Sequence, residues 1–319
     1  MQNTKMGFKD LLIRFSKRHS IYLVLLGVIL VSICLSDSFT RPANILNITR
    51  QISVSTIVAY GMTIIIICGM IDLSAGSVIA LAGVLGVMTY VQTQSVLLAV
   101  LVSMLIGAAT GAVSGLIITR FKVPAFITTM AMQMSARGLV LLITDAIPIY
   151  SIGRVSVLGK GAVLGIPVPV FFMMMIAFIT WFLLNRCKFG RYIYAIGGNM
   201  DAAIAAGINV NRTMVSATIL NGVFTGLAGI ILMGRLNGGM PQAGEDYEFD
   251  AISAAVLGGT SIAGGYGTVS GTIAGAFILG IFNNILNLLA VDSYMQEIIK
   301  GGVIVVAVAM DVIQRKKQR

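Results

Sequence analysis

The sequence predicts an all-α, polytopic membrane protein with about ten transmembrane helices, some of them broken into half-helices. Three observations lead there. Hydrophobic residues make up 57% of the 319 and charged residues only 11%, against roughly 25% charged in soluble domains, and the mean hydropathy is +0.94. Apolar windows of about 20 residues, long enough to cross a bilayer as helices, recur along the whole chain. The 36 glycines exceed the usual roughly 7%. Many recur four residues apart, as at Gly107/Gly111/Gly115 and Gly222/Gly226, the notch pattern by which helices pack in lipid.

Taken in order, residues 1–20 are basic, and Phe8, Leu11, Leu12 and Phe15 fall at helical spacing between Lys9, Arg14, Lys17 and Arg18. This predicts an amphipathic helix on the inner membrane surface before a retained first span, not a cleaved leader. Residues 21–313 make a single transmembrane domain, with spans near 21–35, 52–69, 76–91, 95–119, 123–143, 166–184, 214–235, 268–290 and 296–313. The short segment 251–264 counts as a tenth pass and puts both termini on one side. Fifteen of the 22 basic residues, in 1–20, 120–122, 186–212 and 315–319, then share that side. Four (Arg41, Arg50, Arg154 and Lys160) face the other. Basic residues favour the cytoplasm, so both termini are expected there, with 314–319 as a basic tail. The net charge of +10 therefore reports orientation and does not call for a nucleic acid partner. Cys34, Cys68 and Cys187 are scattered and form no disulfide or zinc pattern. His19 is the only histidine, which excludes a multi-histidine metal site. Neither metal nor cofactor is expected.

The stretch GMIDLSAGSVIALAG, residues 69–83, puts a carboxylate between two apolar runs. Gly69 lets one helix stop, and Asp72 stands to accept backbone N–H groups as the next begins, with Ser74 beside it. The helix N-terminus stabilises the charge. Irregular backbone at membrane depth survives only when buried in protein or lining a cavity. Asp72, Ser74 and Ser77 are therefore candidate pathway-lining residues beside their capping role. DLSAGSVI (72–79) faintly echoes DAISAAVL (250–257), as an inverted repeat around a pathway would. GGYGTVSG (264–271) has neither the spacing of a phosphate loop nor a strand before it, so ATP is not bound by that route.

Thr129, Gln133 and Arg137 share one helix face at four-residue spacing. Arg137 must face the bundle, pair with an acid, or snorkel outward. Asn221, Asn283, Asn284 and Asn287 add amides inside other apolar spans. Thr129, Gln133 and these four asparagines are further pathway candidates, because amides and hydroxyls suit a neutral polyol or sugar better than an ion. Helix–helix adhesion is their competing role. No Asp/Glu/His chain suggests a proton relay. Outside, Glu245, Asp246, Glu248 and Asp250 form an acidic rim, either solvated or a docking place for a soluble partner. The long inner loop 185–213 holds a short helix from Asn199, its cap, to Ala206, with Asp201 near the positive end. Its apolar Tyr192, Ile193, Tyr194 and Ile204 need a cover: either the loop packs on itself, or it docks another protein, the favoured reading.

GMIDLSAGS (69–77), FGRYIYAIGGNMDAAIAAGINV (189–210) and YEFDAISAAVLGGTSIAGGYGTVSGTIAGAFILGIFNNILNLL (247–289) resemble the permease subunits of bacterial ribose-type ABC importers. The likeness runs from about Phe39 to the C-terminus, departing at Ala75, where the family often has Val. It implies a fold similar to the vitamin B12 importer permease and two copies around one central pathway in the inner membrane. It also implies a cytoplasmic tandem-cassette ATPase and a periplasmic sugar-binding protein as partners, so the chain itself is no enzyme. Glu245, Asp246 and Glu248 become candidates for docking the binding protein. Gly190, Arg191, Tyr194, Gly197, Gly198, Asn199, Asp201, Ala203 and Gly207 match the stretch that couples such permeases to their ATPase. The implied substrate is a monosaccharide, ribose ahead of xylose, arabinose, galactose, allose or autoinducer-2. Alternatives are the branched-chain amino acid permeases of the same superfamily, an ion-driven secondary transporter, and a membrane scaffold.

Overall fold

The computed structural model describes residues 20–150 and 152–316. The amphipathic helix expected within 1–20 and most of the tail 314–319 lie outside the described residues. The helices are α1 (Ser20–Leu35), α2 (Pro42–Ile67), α3 (Ala75–Thr93), α4 (Val96–Arg120), α5 (Ala125–Thr144) and α6 (Ser156–Lys160). After a hairpin of β1 (Ala162–Val163) and β2 (Ile166–Pro167) come α7 (Val168–Arg186), α8 (Lys188–Gly198), α9 (Met200–Ala205), α10 (Val210–Leu236), α11 (Tyr247–Leu257), α12 (Val269–Leu288) and α13 (Ser293–Lys316). That hairpin is the only β-ladder among the described residues and a small departure from the all-α expectation. Among the described residues, α2, α3, α4, α5, α7, α10 and α12 are long and apolar enough to cross a membrane. The apolar part of α1, Ile21–Leu35, is shorter.

Main-chain contacts define two ends of the bundle. At one end Gly265 N–H donates to the Ile67 carbonyl (2.8 Å) beneath α8. At the other, Ile149 and Gly239 exchange N–H···O bonds of 2.9 and 2.7 Å. There too Arg50 Nη2 donates to the Lys160 carbonyl (3.1 Å) and Arg154 N–H to Tyr90 Oη (3.0 Å). α2 runs from this hairpin end to the α8 end through the middle of the molecule. Ile57, Val58, Ile64, Ile66 and Ile67 on all its sides are buried, because α7, α10, α11 and α12 surround it. A helix apolar all round has to be enclosed in this way or face lipid.

The glycine notches close where the sequence places them. A Cβ on Gly107 would strike the Gly222 carbonyl, and one on Gly222 the Gly107 carbonyl. Gly111 meets Thr218 in the same way and Gly226 meets Ser103. α4 and α10 thus touch backbone to backbone, while the far side of α4 exposes Leu97, Leu105 and Leu116.

The segment 251–264 does not cross as a helix. α11 begins earlier, at Tyr247, and ends at Leu257. Its 11 residues span about 16 Å, half of a hydrocarbon core of roughly 30 Å. It stops because Gly259 turns left-handed (φ +85°), so that its N–H reaches Val256 O and Thr260 N–H reaches Ala255 O, a Schellman ending. The approach to α11 from the hairpin end is irregular, and Gly244 packs there against the Gly76 carbonyl. α11 runs toward the α8 end while α3 runs away from it, the opposed directions expected of the two echoing stretches.

The notches give a stability prediction. Gly222→Ala should cost about 1–3 kcal/mol by overpacking. Gly138→Ala in α5, where a Cβ meets nothing within 4 Å, should be neutral or slightly stabilising. Thermal unfolding of the two variants in detergent checks this: only the first should melt several degrees lower.

Candidate functional site

The break between α2 and α3 is built by its own backbone. α2 ends as α11 does: Gly69 is left-handed (φ +84°), its N–H donates to Ile66 O, and Met70 N–H donates to Ile65 O at 2.9 Å. Asp72 then closes a turn in which its Oδ1 accepts from Ser74 N–H (2.7 Å) and from the Ser74 hydroxyl (2.6 Å). The carboxylate accepts a backbone N–H, as expected, but the donor is the residue before the helix and not one within it. Asp72 Oδ2 accepts from Asn221 Nδ2 at 2.6 Å, which ties the break to the middle of α10. Asn221 in turn fills the space over Gly61 of α2.

The stripe on α5 continues from there. Leu73 N–H donates to Thr129 Oγ1 (3.2 Å), Gln133 Nε2 donates to Glu248 Oε1 (3.0 Å), and Arg137 Nη1 donates to the carbonyls of Pro241 (2.7 Å) and Ala243 (3.1 Å). Arg137 therefore faces the bundle and is paired with main chain. Its guanidinium holds the irregular approach to α11, while Thr129 holds the break before α3. Glu248, read from sequence as part of an outer rim, is instead 3% exposed and lies against Gly76. Ser77 is buried in α3 one turn past the break.

The four asparagines do not form one site. Asn221 belongs to the break. Asn284 exchanges two hydrogen bonds with Asn44, of 3.1 and 2.9 Å, which ties α12 to the start of α2. Asn283 and Asn287 line a separate cavity of about 250 Å³ between α2, α11, α12 and α13. Glu245 and Asp246 line it too, with Gln51, Tyr247, Asp250, Gln296 and Lys300. Lys300 Nζ lies 3.8 Å from Asp250 Oδ1. Sequence reading passed over Lys300 and Gln296, although a lone lysine within a span is itself a signal. Among the described residues no three His, Cys, Asp or Glu could hold a metal ion.

At the α8 end the loop makes two short helices. Ile193 and Ile196 pack inward, 0% and 2% exposed, while Tyr192, Met200 and Ile204 stay exposed with Arg191, Asp201 and Gly207. Of the apolar residues expected to need a cover, Ile193 already has one. Gly190 packs against the carbonyls of Leu183 and Leu184, and Ala203 is the buried residue of α9 itself. Asn199 Oδ1 accepts from Ala202 N–H at 2.9 Å and caps α9 as the sequence predicts. Tyr194 Oη donates to the Gly267 carbonyl at 2.7 Å. Burial, with Tyr266 nearby, pushes its pKa up and keeps it a donor. A Cβ at Gly197 would strike the Ile67 carbonyl and Gly265 N, whereas one at Gly198 meets nothing within 4 Å. One turn of α8 thus rests on the end of α2 and on the loop between α11 and α12.

Enclosed helix breaks, buried polar pairs and a half-helix entering from one end define a multi-pass membrane permease. A permease family described as the permease component of branched-chain amino acid transport systems matches residues 44–308, and the chain belongs to it. The chain is similar to the ribose import permease of Bacillus subtilis (strain 168), 48% identical over 293 residues, covering 91% of this chain and 90% of that protein. It is 42% identical to the ribose import permease of Escherichia coli (strain K12) over 93% of each chain. To the D-allose permease of the same strain it is 36% identical over 86% of this chain and 85% of that one. No solved structure matches.

Asp72→Ala would strand the Ser74 donors and the Asn221 amide. Each buried unpaired group costs about 1–3 kcal/mol, so the variant should unfold well below the parent in a detergent melt. Asp72→Asn keeps an acceptor for Ser74 and should lose less than half as much.

Proposed function

We propose that this chain is the membrane-spanning subunit of an ATP-driven monosaccharide importer, with ribose as the substrate. The observation that carries the reading is the 48% identity to a ribose import permease across nine tenths of both chains. The family description names branched-chain amino acids, but the relatives given above are sugar permeases. The chain contributes about ten passes as a single transmembrane domain over 21–313, with a fold like the vitamin B12 importer permease and both termini cytoplasmic. Two copies enclose the pathway in the inner membrane. A periplasmic binding protein delivers the sugar at the hairpin end, and a separate ATPase grips α8 and α9, so the chain hydrolyses nothing itself.

The coupling follows from the contacts of α8. Residues 190–207 offer the ATPase an exposed face of Arg191, Tyr192, Met200 and Ile204. When nucleotide binding moves α8, the shift passes through Gly197 to the Ile67 carbonyl and through Tyr194 to Gly267. Both helix breaks then move together. The first carries Asp72 and its hold on α10, and the second adjoins α11, which carries Glu248. Thr129 and Gln133 hold these two segments through Leu73 and Glu248.

Reconstituted with its ATPase and binding protein, the permease should take up ribose only with ATP inside the reaction, and an ionophore should not stop it. Uptake that survives ATP depletion but dies with the ionophore would mean an ion-driven carrier instead. Gly197→Val should cut uptake at least tenfold while ATP hydrolysis continues. Gly198→Ala, with open space around it, should stay within twofold of the parent.

A further inference from the structure

α4 and α5 leave an open groove on the outside of the bundle, away from the Asp72 break and from α8. Its volume is about 230 Å³. Leu81 and Ala136, 3% and 2% exposed, form the floor, while Val113 and Leu139, 47% and 46% exposed, form the rims. The two hydroxyls on its walls are committed within their own helices. Thr110 Oγ1 donates to the Gly107 carbonyl (2.8 Å) and Ser135 Oγ to that of Ala131 (2.9 Å). The groove therefore offers methyl and methylene groups and no free donor, which suits a hydrocarbon chain and not a sugar.

Charge gathers where the groove opens toward the α8 end. Val113 and Arg120 are seven residues apart on one face of α4, so their Cα atoms lie about 10 Å apart, and Ala109 lies about 16 Å from Arg120. α5 keeps the same level: Met132 and Ala136 stand about 10 and 16 Å from Ala125. Phe121 and Lys122 sit in the link between the two helices. Arg212 comes in beside them, because Gly115 of α4 abuts Val215 of α10. Arg120, Lys122 and Arg212 are all exposed, and among the described residues none of them makes an ion pair.

We propose that this groove holds an acyl chain of an anionic phospholipid whose phosphate sits between Arg120 and Lys122, with Arg212 adding to the attraction. Guanidinium and ammonium groups are the usual partners of a phosphate, and basic clusters beside membrane helices recognise anionic headgroups. Phe121, 73% exposed, lies at headgroup level, where aromatic rings collect. One leaflet contributes about 15 Å of hydrocarbon, so a chain with its headgroup at Arg120 passes its distal half through the groove. About seven or eight methylene groups fill the volume if each takes the roughly 30 Å³ of a water molecule. A second copy seated here about a two-fold axis would instead bring the same cations toward each other. The bound chain braces α5 against α4, and the other side of α5 carries Thr129, Gln133 and Arg137. The site does not depend on which substrate the permease carries.

The test reads occupancy directly. With Trp181→Phe and Val113→Trp, the only indole of the chain stands on the rim of the groove. The full chain is placed in phosphatidylcholine nanodiscs in which about one lipid in ten has brominated chains. Brominated phosphatidylglycerol should quench the indole at least twice as strongly as brominated phosphatidylcholine at the same fraction. Adding Arg120→Gln and Lys122→Gln should bring that ratio close to one, whereas Arg154→Gln and Lys160→Gln, at the hairpin end, should leave it unchanged. Salt near 1 M, where the Debye length is about 3 Å, should lower the ratio with the basic residues intact, so the result does not rest on the variants alone. Equal quenching by the two lipids, or a ratio that survives the substitutions or the salt, means ordinary boundary lipid and overturns the site. Quenching by neither lipid means that protein fills the groove, a second copy for instance, and overturns it as well. None of these outcomes touches the importer reading, which is decided by ribose uptake.

Discussion

The constraint on which the architecture depends is the need to satisfy main-chain groups where two helices break inside an apolar bundle. Hydrocarbon offers no partner for a free N–H or carbonyl, so each break has to be closed by protein. α2 and α11 solve the local half of the problem identically, with a left-handed glycine and the paired bonds of a Schellman ending. Further groups are met by Asp72 within its own turn and by Thr129, Arg137 and Tyr194, each reaching from another helix. The polar residues of the bundle are thus largely placed by backbone that lacks helical partners.

Much of this was legible in the chain because it obeys short-range rules. Gly69, Asp72 and Ser74 announce a stop and a restart within six residues, and the structure breaks there. The four-residue glycine spacing foretold close backbone packing by α4 and α10, though not that they pack on each other, and Asn199 foretold the cap of α9. The stripe of Thr129, Gln133 and Arg137 followed from helical geometry alone, although its partners did not. Those partners are a backbone N–H, two carbonyls and a glutamate, all more than 50 residues away, and no local pattern encodes them.

The misreadings share a cause. QAGEDYEFD looked like a solvated rim because four acids in nine residues usually are one. In the fold only part of it leaves the surface: Glu248 is buried against Gly76, while Glu245 stays exposed and, with Asp246, borders a cavity. The segment 251–264 looked like one short helical pass; the chain does run from the hairpin end to the α8 end there, but as irregular backbone followed by a helix that glycines end at half the needed length. Asn283 and Asn287, four apart, share one helix face and line the cavity, while Asn284, one position on, is turned about 100° away and serves Asn44.

The seat of α8 on Ile67 and Gly265 is made of main chain on both sides, with no side chain interposed at Gly197. Side chains can hop between rotamers and absorb displacement; peptide units cannot. Under the coupling proposed above, such a joint has little backlash, and even a sub-ångström stroke at the surface reaches the interior nearly undiminished. The same lack of slack leaves room for glycine alone at this position, which makes the stiffest link of the machine also its least mutable.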